Sequence, residues 1–135
     1  MADSRKIYLT DQDLNRLQEL VALSHGNSDV EALEDELNRA IVVTQEMIPP
    51  DVVTMNSTVR FRDMTSSKEM EVTLVYPKDS DMGKGRLSVM APVGMALIGL
   101  SVGQSVEWPL PQGGVKRLKI LSILYQPEAS GDWNL

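Results

Sequence analysis

Two adjacent prolines, Pro49 and Pro50, constrain this 135-residue chain more than any other feature. Neither has a backbone N–H to donate, and the residue before each is pushed out of the helical region, so no helix or central strand runs through them. The sequence differs in kind on the two sides. Up to Ile48 it reads as two short acidic helices, and from Asp51 onward as strands and turns. Charge divides at the same place. Residues 1–48 carry ten Asp and Glu against four Lys and Arg, whereas residues 51–135 carry nine of each, so the whole net charge of −6 falls on the helical half. The expected organisation is a helical hairpin over 1–48 and a sheet domain over 49–135, with 49–51 as linker. A neutral body with an acidic projection suits a protein that inserts something into a basic or metal-containing cleft, and not one that grips nucleic acid.

A chain of this length builds one modest core, or a small domain plus an appendage. Aromatic residues make up only 4 %, so Leu, Val, Ile and eight Met must fill that core. The absence of Cys excludes disulfides and thiolate chemistry and fits a reducing cytoplasm. No apolar run of signal-peptide or membrane-spanning length is present, and the acidic balance argues against strong direct binding to a phosphate backbone. A soluble, cytoplasmic protein is expected.

Thr10-Asp11-Gln12-Asp13-Leu14 is a strong helix start. Thr10 caps free N–H groups, Asp11 and Asp13 face the positive end of the helix dipole, and Leu9 is placed to staple onto Leu14. Leu14, Leu17, Val21 and either Leu20 or Leu23 recur at helical spacing. Ser24-His25-Gly26-Asn27 stops the run, and the capping box Ser28-Asp29-Val30-Glu31 restarts a helix at once. Val30, Leu33, Leu37, Ala40 and Ile41 form its apolar stripe, with Glu34, Asp35 and Glu36 on the outer face. A turn this short forces an antiparallel hairpin, a short coiled coil. Helices of about 13 and 17 residues reach only ~20–25 Å. The tip comprises His25, Gly26, Asn27, Ser28, Asp29 and Glu31. Its carboxylates either satisfy a helix N-terminus or are presented to a metal held by a partner; the first is the simpler reading. His25 is the sole His and stands in a loop without Cys, which favours a solvated side chain over a ligand or general base.

In the second half Val59 and Phe61 alternate with Arg60 and Arg62, and Val72, Leu74 and Tyr76 alternate with Glu71 and Thr73, as half-buried strands do. Paired as a hairpin, they set Arg60 and Arg62 across from Glu69 and Glu71. Gly83-Lys84-Gly85 lacks the spacing and ending of a phosphate loop. Leu87–Met90 reads as a strand, Pro92 as the first residue of a short helix and Gly99 as its close. Ala91 is a poor cap where Ser, Asp or Asn would serve better, so this corner gives up stability or serves something else. Gly94, Gly99 and Gly103 do not form a dinucleotide fingerprint. Val106 and Trp108 precede the turn Pro109–Gly114, and Leu118, Ile120 and Leu124 mark a last strand. Four or five strands and one short helix make an α+β fold with an antiparallel sheet. No catalytic constellation is present: one His cannot serve any Ser of the sheet half unless the hairpin folds back, and the carboxylates there are scattered. No metal or cofactor site is expected. Arg60, Arg62, Lys116, Arg117 and Lys119 read as solvated strand edges ahead of a docking patch.

The acidic hairpin, the linker and the stretch Leu87-Ser-Val-Met-Ala-Pro-Val-Gly-Met-Ala-Leu-Ile-Gly-Leu100, followed by Gly103 and Pro111-Gln112-Gly113-Gly114, resemble the bacterial Gre transcript-cleavage factors. Asp51-Val-Val-Thr-Met-Asn-Ser57, Leu74-Val-Tyr-Pro77, Met90-Ala-Pro-Val-Gly94 and Tyr125-Gln-Pro-Glu-Ala129 with Gly131-Asp132 are similar to one non-cleaving branch of that superfamily, the regulators of nucleoside diphosphate kinase. The resemblance runs from about Thr10 to the C-terminus. It implies an FKBP-like sheet domain that docks at the rim of the RNA polymerase secondary channel, with the finger pointing inward. It also implies that the corner Met90, Ala91 and Pro92 helps make the contact; Pro92 matches the family, while Met90 and Ala91 replace polar or acidic residues. Cleaving relatives hold a catalytic metal with an acidic cluster at a long fingertip. This finger is much shorter and Asp29 does not sit in such a cluster, so a non-enzymatic, monomeric polymerase binder is expected, competing with other channel-entering factors and acting on nucleoside diphosphate kinase only indirectly. The competing readings are a cleavage cofactor, a direct regulator of the kinase and, on the implied fold alone, a peptidyl-prolyl isomerase, against which the few aromatics count.

Overall fold

Thr10 opens the first helix as its sequence demands, its hydroxyl oxygen accepting from the Asp13 N–H at 3.0 Å. The computed structural model describes residues 7–23, 28–109 and 113–132. Helix α1 spans Asp11–Ala22 and α2 spans Ser28–Arg39, and they pack on each other as a hairpin. Leu17, Val21, Val30, Leu33 and Leu37 are buried, whereas Leu23 is 84 % exposed. At twelve residues each, the helices are ~18 Å long. The second is shorter than expected because the chain turns at Ala40 into a strand. Ile41, Val42 and Val43 are all β-branched and favour extended backbone over a last helical turn. They form β2 (Ile41–Val43), which pairs in parallel with β1 (Tyr8–Thr10) at the foot of the hairpin. Ile41 is therefore a strand residue, and the first 48 residues are not wholly helical. Glu36 is a second correction: it is buried on the inner side and paired with Arg39, not set on the outer face.

The second half is a five-stranded sheet in the order β5-β4-β3-β7-β6. β3 (Thr58–Asp63) and β4 (Lys68–Val75) are antiparallel, with Arg60 opposite Glu71 and Arg62 opposite Glu69, as their alternation foretold. Both pairs close, at 3.3 and 2.7 Å, on the solvent face, while Val59 and Phe61 point into the core. β5 (Arg86–Ser88) lies parallel to β4, a departure from a wholly antiparallel sheet. The segment between them is too long for a hairpin turn: 3-10 turns at Pro77–Asp79 and Met82–Lys84 bring the chain back to run in the direction it left. After β5 come α3 (Pro92–Leu97), β6 (Ser105–Pro109) and β7 (Val115–Tyr125). β7 pairs with β3 through two irregularities that skip Leu121 and Leu124. Each skipped residue shifts the inward parity, so Leu118 and Ile120 are buried but Leu124 is half exposed, contrary to unbroken alternation. Residues 110–112 of the expected turn, including Pro111 and Gln112, lie outside the described residues.

One apolar cluster joins the hairpin residues Leu17, Val21, Leu33 and Leu37 to Phe61, Leu74, Met95, Leu97 and Ile120 of the sheet half. Gly99 sits at the seam, with φ +81°. Its carbonyl accepts from Tyr8 N–H at 3.0 Å and its N–H donates to the Val53 carbonyl at 2.9 Å, and a Cβ there would lie 2.7 Å from the Ile7 Cβ. Only glycine satisfies both the left-handed backbone and the close approach.

Candidate functional site

The corner before α3 is built by Ser88. Its hydroxyl oxygen accepts from Met90 N–H at 3.0 Å and its carbonyl from Ala91 N–H at 3.1 Å, while Val89 N–H donates to the Val75 carbonyl at 2.8 Å. Pro92 then starts α3 at the position where a missing N–H costs nothing. Ala91 is the cap residue and offers no side-chain bond, so the first-turn amides of α3 receive no cap from it. Met90 and Ala91 are half-buried, resting on the core with their remaining surface outward. Met95, Ala96, Leu97 and Ile98 anchor the helix beneath them. Gly94 is needed here: a Cβ would fall 2.1 Å from the Ser88 carbonyl oxygen.

Of the expected fingertip, His25, Gly26 and Asn27 lie outside the described residues, as does Ser24. Ser28 and Asp29 are the first residues of α2, and Glu31 is exposed one turn in. Among the described residues no three His, Cys, Asp or Glu side chains come together as metal ligands. Of the basic positions on the sheet, Arg60, Arg62 and Arg117 are each paired with a strand neighbour (Glu71, Glu69 and Glu107), and Lys119 lies opposite Arg62.

A second constellation lies where the hairpin meets the sheet half, and sequence reasoning did not single it out. Asp13 is only 2 % exposed, and its Oδ2 accepts from the Met55 N–H at 3.1 Å. On the other side of the same turn, Thr54 Oγ1 donates to Glu128 Oε1 at 2.7 Å. Thr54 has one hydroxyl proton, so the 2.8 Å contact with Ser57 is a donation from Ser57 to Thr54. The turn is closed by Thr54 N–H to Ser57 Oγ at 3.0 Å. Gln126 Nε2 donates to both the Pro49 and Val52 carbonyls at 2.8 Å, tying the double-proline segment to the turn at 126–132, the C-terminal hook. The stretches 51–57 and 125–129, distant in sequence, thus meet at one buried polar joint. Burial is the main cause that pushes the Asp13 carboxyl up to about 7; the Met55 N–H and Arg16 oppose the shift and Glu128 adds to it. Burial also raises the Tyr76 phenol, with Asp13 the next contributor. Beside this joint a groove of about 840 Å³ runs between α1 and the Tyr76–Asp79 segment, with Arg16, Leu20 and Leu23 on one wall and Pro77 and Lys78 on the other. The signal for Asp13 was its spacing: 13, 17 and 21 share one helix face, and Leu17 and Val21 are core residues.

Comparison with known proteins agrees with this architecture. Residues 48–125 match the model for the C-terminal part of the GreA/GreB transcription elongation factors, and residues 5–43 match that of the Rnk N-terminus. The chain is 44 % identical over 131 residues to the regulator of nucleoside diphosphate kinase of Escherichia coli K12, covering 96 % of each chain. It belongs to the Gre family, in the branch of these regulators. Within that family it is also 34 % identical to the transcription elongation factor GreA of Chloroherpeton thalassium, over 82 % of this chain and 72 % of that one. Among solved structures, a prokaryotic GreA/GreB elongation factor from Nitrosomonas europaea superposes with a TM-score of 0.73 at 48 % identity, covering 90 % of this chain and all of that one.

Proposed function

We propose that this protein is a cytoplasmic, monomeric, non-enzymatic transcription regulator that binds RNA polymerase at the secondary-channel rim and competes there with Gre-type factors without stimulating RNA cleavage. Residues 49–135, in an FKBP-like arrangement, form the docking unit, and Met90, Ala91 and Pro92 are its contact corner. Helices α1 and α2 form the coiled-coil finger that enters the channel mouth. The observation that carries the reading is the finger's length: two twelve-residue helices give ~18 Å, too little to reach a buried active centre while the base stays at the rim. The uncapped, half-buried Ala91 supports the corner's role, since stability is given up there and α3 is instead held from below. No cofactor is required, and any effect on nucleoside diphosphate kinase follows through transcription. The test is retention of polymerase from bacterial extract by immobilised wild type and by Pro92→Ala, a change that the first helical position tolerates. The variant should retain polymerase roughly ten-fold less well, about 1.4 kcal/mol. Equal retention contradicts the docking corner, and absence of polymerase from the wild type contradicts the partner.

A further inference from the structure

The buried joint at the hairpin foot has more polar structure than a seam between two apolar surfaces needs. Asp13, Thr54, Ser57, Gln126 and Glu128 are all buried, and the first and last are carboxyl groups contributed by opposite ends of the chain. They grip consecutive residues of one turn, Asp13 the Met55 amide and Glu128 the Thr54 hydroxyl. Asn56, next in the turn, is held at φ +68° with its N–H on the Leu74 carbonyl of β4 at 2.6 Å, so the turn is fixed to the sheet. Apolar contact is non-directional and lets two bodies roll on each other, whereas satisfied buried hydrogen bonds single out one arrangement. A buried hydrogen bond adds only about 1 kcal/mol net, because each partner gives up water to form it. Their yield here is geometric.

We propose that Asp13 and Glu128 are positioning residues that fix the angle at which the hairpin leaves the sheet half. Asp13 locks α1 to the 54–57 turn, and Glu128 locks the same turn to the C-terminal hook, whose Gln126 holds the Pro49–Val52 segment. The charged or titratable groups that act on Asp13 are Glu128, Arg16 and Tyr76. The consequence for channel entry rests on the polymerase-binding reading above; the angle itself does not.

The absence of Cys makes the chain directly suited to distance measurement. Cysteines introduced at Leu23 on the hairpin and Met82 on the sheet half, both exposed, carry paired spin labels. The wild-type background should give one narrow distance distribution. Asp13→Ala and Glu128→Ala should each broaden it roughly two-fold as the hairpin samples several angles, with helical circular dichroism retained. Asp13→Asn and Glu128→Gln keep the accepting oxygen and should restore the narrow distribution, which a loss of general stability would not do. Should an alanine variant not fold, Thr54→Val cuts the Glu128 bond from the other side and should broaden the same distance. Unchanged width in the alanine or valine variants overturns the proposal, as does equal broadening in the amide variants. All of this is read on the free protein, so it stands or falls separately from polymerase retention.

Discussion

Gly94→Ala should lower the melting temperature by roughly 10 °C, although alanine is the better helix former. In an exposed helix the exchange would gain ~1 kcal/mol. Here the new Cβ would stand 2.1 Å from the Ser88 carbonyl oxygen and 3.0 Å from both the Ser88 carbonyl carbon and the Val89 Cα. These are backbone atoms held by the β4–β5 ladder, so the strain cannot be relieved by a side-chain rotation. Forced overpacking of this kind costs ~3 kcal/mol and outweighs the propensity gain. The corner would also open between Ser88 and Pro92, so polymerase retention should fall together with stability. An unchanged melting temperature in thermal unfolding would show that the strand-to-helix approach is not as close as described.

Asp13→Asn should act in the opposite direction, and only above a certain pH. Burial raises the Asp13 carboxyl from its ordinary value of 3.8 to about 7. The folded state therefore holds this proton more tightly than the unfolded chain. The stabilising contribution is complete below pH 3.8 and is lost as pH rises through about 7. About three pH units at ~1.4 kcal/mol each make a total near 4 kcal/mol. Asparagine bears no charge to desolvate, and its Oδ1 still accepts from the Met55 N–H. Compared by urea denaturation, the variant should be close to wild type near pH ~4 and more stable by several kcal/mol near pH ~8. Parallel pH profiles would contradict a buried, proton-holding Asp13.

Much of the fold was legible where one local rule acts alone. The alternation of Arg60 and Arg62 with Val59 and Phe61 gave both the strand and its cross-strand partners, and Pro92 and Gly99 bracketed α3. The misreadings arise where two patterns overlap. Ile41 fits the apolar stripe of α2, yet it opens a β-branched run that pairs with Tyr8–Thr10. Glu36 lies beside Leu37 on the inner side, buried and paired with the exposed Arg39, whereas its acidic neighbours Glu34 and Asp35 are exposed. Leu124 keeps even spacing from Leu118 and Ile120, but the irregularities in β7 break that parity. At the candidate site, the α3 corner was visible because a proline marks it. The joint was not, because Thr54, Ser57, Gln126 and Glu128 acquire meaning only when residues more than seventy positions apart are brought together. Asp13 was assigned to the helix dipole, a role open to any acid in a first turn, while its spacing to Leu17 and Val21 already placed it on the buried face.

A finger too short for chemistry is tested in a backtracked elongation complex supplied with Mg²⁺ and this protein, by following the length of the RNA. With the protein alone, the transcript should stay at full length; with a cleaving Gre factor present, added protein should progressively suppress shortening. Shortened RNA in the presence of this protein alone would contradict the account.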